Sequence, residues 1–192
     1  MTLVKTALFL LILAILGAGV FIWSGTYNPG ADSPHWKITY ALMQTARERS
    51  VERHASAIAL PTNLDDPDVI LKGAGQYAAM CTSCHLAPGM RDTELRPGLY
   101  SKSPNLSKGS VEPREAFWVI KHGLKMSAMP AWGMSHDDPT IWSMVAFLRK
   151  LPAMTPAQYK EMVAKAPPDD DMESDGDGSD GHAHGDHSHV HE

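Results

Sequence analysis

The sequence predicts an all-α protein, and three observations support this prediction. An uncharged apolar run at residues 7–23 is long enough for one helix. Proline follows an acidic residue at Asp66-Pro67 and again at Asp138-Pro139. This order is typical of helix starts, where a carboxylate caps the backbone and proline fits the first turn. No stretch shows the alternation of apolar and polar residues that is typical of a half-buried strand.

The apolar run predicts a helix that spans a membrane. Its 17 residues, at about 1.5 Å each, give roughly 25 Å of helix, near the short limit for a span. Lys5 precedes the run and places the N-terminus in the cytoplasm. The rest of the chain is then expected on the periplasmic side of a bacterial inner membrane.

A cleaved signal peptide is the alternative interpretation of this run. Residues 17–19 (Gly-Ala-Gly) are small enough for cleavage, but residues 20–23 (Val-Phe-Ile-Trp) continue the apolar run and no Ala-x-Ala follows. A processing site normally ends the apolar region. We therefore expect an uncleaved transmembrane anchor over residues 1–25.

Residues 26–66 are expected to form a linker followed by a charged helix. The helix is predicted over residues 34–60, and Pro61 starts another break. Its charged segment at residues 47–53 is interpreted as a solvated face. His54 is interpreted as an ordinary surface or packing histidine.

Four more helices are predicted in the remaining chain. The first starts at Asp66-Pro67 and passes through Gly73, which costs about 1 kcal/mol in an isolated helix and therefore suggests that another backbone packs closely there. The others are predicted over residues 110–122, 137–150 and 156–165. A long loop at residues 86–110 and an irregular segment at residues 123–136 separate them.

One motif in the chain carries chemistry, Cys81-Thr82-Ser83-Cys84-His85. The pattern Cys-x-x-Cys-His is typical of covalent c-type haem attachment. Residues three apart share a helix face, so both thiols can reach the vinyl groups of one haem, and His85 offers an imidazole to the iron.

Two alternatives use the same cysteines. A redox dithiol favours a strand-rich setting, and a zinc site needs four ligands, which scattered histidines would have to complete.

Charge is distributed unevenly along the chain. Residues 169–192 contain nine acidic side chains and no Lys or Arg, whereas the other 168 residues carry 17 basic and 13 acidic side chains, a net charge of +4. A mildly basic body without a dense Lys/Arg cluster is not typical of a nucleic-acid-binding protein. The tail at residues 167–192 is dominated by Asp, Gly, Ser and His, and we expect it to be disordered.

Five histidines of this tail form a candidate metal site, namely His182, His184, His187, His189 and His191. Imidazoles interleaved with acids bind Cu, Zn or Ni. The sequence therefore permits a haem protein coupled to metal handling, and a solubilising tail that binds metal only opportunistically is the alternative.

Residues 67–152 resemble class I c-type cytochromes, particularly the bacterial membrane-associated monohaem group. The resemblance rests on the order of Gly73 and Tyr77, the haem motif, Pro88-Gly89, Met129-Pro130 and a C-terminal helix. It implies a class I cytochrome c fold over residues 67–166 around one covalent haem c. It also implies that Gly73 and Tyr77 pack against Met144 and Phe147 of the last helix.

The resemblance further implies a set of site residues. Cys81 and Cys84 would form the haem thioethers, and His85 and Met129 would be the axial ligands of the iron. Met126 is the main alternative to Met129, and His122 and His136 are minor ones. The carbonyl of Pro88 is expected to accept a hydrogen bond from His85. Trp132 and Tyr100 are expected either to contact the haem or to serve as packing residues.

Two protein ligands leave no position on the iron for a substrate, so the iron can only change its valence. We therefore expect an electron carrier, not an enzyme in its own right. It would pass single electrons from a membrane dehydrogenase or quinol-oxidising complex to a downstream acceptor. A haem-based sensor is the other alternative, and it would require a weak or absent sixth ligand.

Overall fold

The computed structural model describes residues 2–168, and within this range the chain forms seven α-helices and no strand, which confirms the all-α prediction. The helices are α1 (Thr2–Trp23), α2 (Lys37–Ala55), α3 (Pro67–Met80), α4 (Thr82–His85), α5 (Pro113–His122), α6 (Asp138–Leu148) and α7 (Pro156–Lys165). Short 3₁₀ turns lie at Arg96–Gly98, Trp132–Met134 and Leu151–Ala153.

Helix α1 contains the predicted apolar run and starts five residues before it. The helix has no buried residue, and its most apolar stretch has a mean hydropathy of 2.5. Among the described residues it is the one helix long and apolar enough to cross a membrane. Its length and composition make α1 a candidate membrane span.

The link between α1 and α2 folds back on itself. The backbone N–H of Ser33 donates to the carbonyl of Gly30 over 3.0 Å. The hydroxyl of Tyr27 lies 3.3 Å from Nδ1 of His35, and the backbone N–H of His35 donates to the hydroxyl of Tyr100 over 3.1 Å. The end of the link is therefore attached to the long loop that follows α4.

Helix α2 is shorter at both ends than the predicted range of residues 34–60. Trp36 has a non-helical ψ of 141° and supplies no side-chain cap, so the helix begins at Lys37. At the other end, the hydroxyl of Ser56 donates to the carbonyl of Arg53 over 2.8 Å. Serine competes for helix backbone groups in this way, and the helix stops at Ala55.

Helices α3 and α6 cross at close range and form the centre of the core. A Cβ on Gly73 would overlap the carbonyl of Ser143 and lie 3.0 Å from the backbone nitrogen of Met144. The Tyr77 and Phe147 rings pack with their centroids 5.4 Å apart. The predicted contacts of Gly73 and Tyr77 with α6 are present. The α3 backbone at Gly73 comes closest to the α6 backbone at Ser143.

Side-chain caps define the starts of four helices. The carboxylates of Asp66, Glu112 and Asp137 each accept a hydrogen bond from a backbone N–H in the first turn, and Thr155 forms a capping box with Gln158. Proline occupies the first turn of each of these helices. The starts of α3, α6 and α7 agree with the predicted ones, whereas α5 begins three residues after the predicted residue 110, because Glu112 caps it and Pro113 occupies its first position.

Candidate haem-binding site

A cavity of about 780 Å³ lies between α2, α3, α5, α6 and the two long loops at residues 86–112 and 123–137. This volume is within the range of cofactor pockets. The haem motif contributes Cys81, Cys84 and His85 to its lining, and the second loop contributes Met129 and Trp132. The structure thus brings these five sequence-predicted site residues to one cavity.

The two cysteines and the histidine reach the cavity because the motif forms a helical turn. Cys81 ends α3, and its carbonyl accepts hydrogen bonds from the backbone N–H groups of Cys84, over 3.2 Å, and of His85, over 2.8 Å. Residues three and four apart on such a turn face the same side. The spacing of the motif therefore directs both sulfur atoms and the imidazole into the same space.

The environment of Cys81 differs from that of a reactive redox cysteine. Burial, with a smaller contribution from the neighbouring Cys84, raises the pKa of the Cys81 thiol to about 12. Reactive dithiols instead have a lowered pKa, because the thiolate is the nucleophile. This weighs against the dithiol interpretation of the two cysteines.

The imidazole of His85 is oriented by a backbone carbonyl. Its Nδ1 lies 3.0 Å from the carbonyl oxygen of Pro104. Since a carbonyl can only accept, Nδ1 carries the proton, and the lone pair of Nε2 is available for a metal. Carbonyl partners of this kind commonly fix the ring orientation of metal-binding histidines.

The expected role of Pro88 in this hydrogen bond was wrong. Pro88 lies in a turn only three residues after His85. The longer loop instead returns to the ring with Pro104, 19 residues after His85. Pro88 is also absent from the cavity lining.

The same loop binds the backbone of the haem motif at three further points. The hydroxyl of Thr93 donates to the carbonyl of Ser83 over 2.6 Å, and the hydroxyl of Ser103 donates to the carbonyl of Cys84. The backbone N–H of Leu106 donates to the carbonyl of His85 over 3.1 Å. The last carbonyls of a helix have no partner within it, so the loop satisfies them and fixes the motif at the same time.

The chain leaves the motif through a strained residue. Leu86 is buried and adopts a positive φ of 62°, a conformation that costs free energy for a residue with a side chain. The hydroxyl of the buried Tyr77 donates to the Leu86 carbonyl over 2.6 Å. Tyr77 therefore supports both the α3–α6 crossing and the turn that follows His85.

The surroundings of His85 favour a neutral imidazole. Burial lowers the pKa of His85, the positive charge of Arg96 acts in the same direction, and the hydrogen bond to Pro104 opposes both. Arg96 is held beside the motif by Asp92, at 3.1 Å, and by the carbonyl of Ser103, at 2.8 Å. A neutral imidazole is the form that binds a metal ion.

Met129 is positioned by a tight loop that begins at Gly123. The backbone N–H of Leu124 donates to the carbonyl of Met129 over 3.1 Å, and the Met129 N–H donates to the hydroxyl of Ser127 over 3.2 Å. Gly123 has a φ of 64°, and a Cβ there would lie 2.7 Å from the Met129 carbonyl. Glycine at this position therefore permits the loop to bring Met129 to the cavity.

The alternative ligands lie elsewhere. Met126 is 88% exposed and does not line the cavity. The His122 ring packs on Trp118 with centroids 5.0 Å apart, and the His136 ring packs edge-on against Trp132 at 5.6 Å. Neither histidine lines the cavity, so the geometry favours Met129 over all three.

Tyr100 also lies outside the cavity lining, in contrast to Trp132. Its ring packs edge-on against His35 and Tyr40, with centroid distances of 5.2 and 6.1 Å. The packing interpretation of Tyr100 therefore fits the structure.

The residues of this cavity fit a covalent c-type haem. Two thiols, an imidazole nitrogen and a thioether sulfur face one largely apolar space, and this is the donor set of a His/Met-ligated haem c. Sequence reasoning missed Pro104 and also missed Arg47 and Val51 of α2, which line the same cavity. The local sequence around Arg47 and Val51 carries no signal of this role.

The five tail histidines, His182, His184, His187, His189 and His191, lie outside the described residues. Within residues 2–168, no group of three or more His, Cys, Asp or Glu side chains is arranged to hold a metal ion.

One comparison with known proteins gives a match. A family model described as cytochrome c oxidase, cbb3-type, subunit III matches residues 68–148, from the first turn of α3 to the end of α6. Searches among curated proteins and among solved structures gave no match.

Proposed function

We propose that residues 68–148, which match the cbb3-type oxidase subunit III family model, form a class I c-type cytochrome domain, and that the protein is a membrane-anchored electron carrier with one covalent haem. It would pass single electrons between respiratory oxidoreductases on the periplasmic side of a bacterial inner membrane. The observation that carries the proposal is the shared cavity of Cys81, Cys84, His85 and Met129.

In this proposal, Cys81 and Cys84 hold the haem through thioethers, and His85 and Met129 are its axial ligands. The bound iron supplies a one-electron couple whose potential a thioether ligand raises. Pro104 keeps the His85 proton on Nδ1 and directs Nε2 into the cavity. Trp132 and apolar side chains of α5 and α6 line the cavity and would pack against the haem.

The proposed partners follow from two observations. The matching family is described as a subunit of a cytochrome c oxidase, and α1 is a candidate membrane span. A haem domain attached to the membrane lies close to the complexes that oxidise quinol or reduce oxygen. We therefore place the chain between a membrane dehydrogenase or quinol-oxidising complex and a terminal acceptor, as a carrier or as a subunit of an oxidase.

The proposed orientation rests on charge. Lys5 is the one charged residue in α1 and lies near its N-terminal end. The positive-inside rule then places the N-terminus in the cytoplasm and the cytochrome domain in the periplasm. Haem attachment to exported protein is consistent with this arrangement.

The test is the visible spectrum of the full chain, produced in a strain with haem-attachment machinery and reduced with and without CO. We expect haem that stays bound after denaturation and a spectrum that CO leaves unchanged. A prompt spectral shift with CO would show an open iron position and contradict the carrier function. Loss of all haem on denaturation would contradict covalent attachment.

A further inference from the structure

Helix α2 precedes the residues that match the family model, yet it forms part of the cavity wall. Four of its residues line the cavity, namely Arg47, Glu48, Val51 and Glu52. Residues four apart share a face of a helix, so Arg47 and Val51 lie on the side that α2 presents to the site.

The second half of α2 is packed firmly against the cytochrome domain. Val51 and Ala55 are buried, with 8% and 2% exposure. The His54 ring packs on Trp118 of α5 with centroids 5.3 Å apart. Nε of Arg114, also on α5, donates to the carbonyl of Ile58 just beyond α2, over 3.0 Å. The position of Arg47 relative to the cavity is therefore set by the packing of the residues that follow it in α2 and just beyond.

Arg47 lacks an anionic partner at this site. Among the ion pairs of residues 2–168, none includes Arg47. Its half-buried guanidinium has one hydrogen bond, from Nη1 to the hydroxyl of Ser101 at 3.4 Å, near the limit for such a contact.

Three other charged groups near this wall have partners. Glu48 accepts a hydrogen bond from Gln44 over 2.8 Å, Glu52 pairs with Arg49 at 3.1 Å, and Lys102 pairs with Asp92 at 3.1 Å. A partly buried guanidinium without an anion is unfavourable, and its planar donor groups fit a carboxylate in a two-pronged contact. The wall therefore offers a cation to an anionic group within the cavity.

We propose that α2 completes the haem cavity and that the guanidinium of Arg47 binds a propionate carboxylate of the haem. The inference rests on the proposed function, because it requires a haem in this cavity. It extends the haem site beyond the matched domain, to a helix that directly follows the anchor and its link. Arg47 would act on the iron through the propionate and not by touching it.

This arrangement has a consequence for the reduction potential. A propionate carboxylate near the iron favours the ferric state, and a guanidinium that neutralises it favours the ferrous state. Removal of the positive charge of Arg47 is therefore expected to lower the potential. A tenfold change in the equilibrium constant for reduction corresponds to 59 mV for a one-electron couple.

The experiment compares the haem-loaded full chain with two variants, Arg47→Gln and Arg53→Gln. Arg53 is a matched control because it lies on the same helix, is exposed, is absent from the cavity lining and joins no ion pair among the described residues. The readouts are the propionate-bending band in resonance Raman spectra and the reduction potential. Arg47→Met, with an unbranched chain of similar length, replaces Arg47→Gln if that variant does not retain haem.

We expect Arg47→Gln, or Arg47→Met in its place, to shift the propionate band and to lower the equilibrium constant for reduction by up to about tenfold. Arg53→Gln should leave the propionate band and the equilibrium constant unchanged. Arg47→Lys, which keeps the charge but not the two-pronged geometry, should recover most of the potential. An unmoved propionate band, or equal shifts of the potential in the Arg47 and Arg53 variants, would overturn the inference. A wild-type chain without covalent haem would overturn the proposed function and this inference with it.

Discussion

The Nδ1 of His85 donates a hydrogen bond to the carbonyl of Pro104 across a sequence separation of 19 residues. The ring of the motif histidine is therefore oriented by a loop that also binds the carbonyls of Ser83 and Cys84. A single loop fixes both the backbone of the motif and the direction of its imidazole.

Pro104→Ala tests the contribution of this proline to the orientation of His85. Alanine keeps the carbonyl but frees the backbone, which costs up to about 1 kcal/mol. We expect the Nδ1 proton of His85 to exchange with solvent up to about fivefold faster, measured by NMR on the reduced haem protein. Pro88→Ala is the control and should leave the rate unchanged. Equal rates for wild type and Pro104→Ala would show that the loop holds the carbonyl without the proline.

Met129→Leu tests the assignment of the second iron ligand. Leucine fills the space but offers no lone pair, so the reduced protein should bind CO and its potential should fall by more than 59 mV, a tenfold change in the equilibrium constant. The measurements are a CO-difference spectrum and a redox titration. Met126→Leu is the matched control, since Met126 is 88% exposed. The assignment to Met129 fails if its variant keeps the wild-type spectrum and potential.

Gly73→Ala tests the crossing of α3 and α6. The new Cβ would overlap the Ser143 carbonyl, and the helices must separate to admit it, at a cost of about 1–3 kcal/mol. Denaturant unfolding of the haem-loaded protein measures the loss of unfolding free energy. Gly75→Ala gains the same helix propensity, but its Cβ would meet only the Ala166 side chain at 3.0 Å and the Pro167 carbonyl at 3.4 Å. A smaller loss in Gly73→Ala than in Gly75→Ala would argue against the close crossing.

Asp137→Ala tests the cap of α6 and its dependence on pH. The hydrogen bonds from Thr140, first from its side chain and then from its backbone, lower the pKa of Asp137 below its ordinary value of 3.8. A lowered pKa stabilises the fold above the unfolded-state pKa, and this stabilisation disappears as the pH falls through the folded-state pKa. At pH 7 the variant should lose about 1 kcal/mol of unfolding free energy.

Below about pH 3.8, the difference in unfolding free energy between wild type and Asp137→Ala should shrink. Denaturant unfolding at several pH values measures this difference. Asp32→Ala, in the exposed link before α2, is the control and should show no such difference. If this difference in unfolding free energy stays constant down to pH 2, the stabilising effect does not come from the Asp137 carboxylate.

The sequence predicted the starts of α3, α6 and α7 because these signals are local. Asp66 and Asp137 each cap the backbone within their own first turn, and such signals do not depend on the rest of the fold. The contact of Gly73 with α6 was predicted from the resemblance to class I cytochromes. The unfavourable helix propensity of Gly73 pointed to the same close packing.

The partner of His85 was not predictable from local patterns. The choice between Pro88 and Pro104 depends on the path of a long loop, and hydrogen bonds from Thr93 and Ser103 to the motif fix that path. Neither residue belongs to a recognisable pattern. Only the folded chain shows which proline carbonyl reaches the ring.

The role of α2 was missed for a related reason. Its charged segment fits plain solvation, and its apolar residues form no regular stripe along the helix. Val51 and Ala55 are buried because α5 packs against α2. A long-range contact of this kind produces no periodic hydrophobic pattern in the sequence of α2.

Under the proposed function, the link between α1 and α2 would determine how the haem domain reaches its partners. Thirteen residues separate the two helices and could extend to at most about 45 Å, but the hydrogen bonds of Ser33 and His35 shorten them. With α1 in a bilayer, diffusion of the haem domain becomes two-dimensional within a thin layer. Its effective concentration toward membrane complexes would then depend on tether length, and soluble acceptors would have to come to the membrane surface to be reduced.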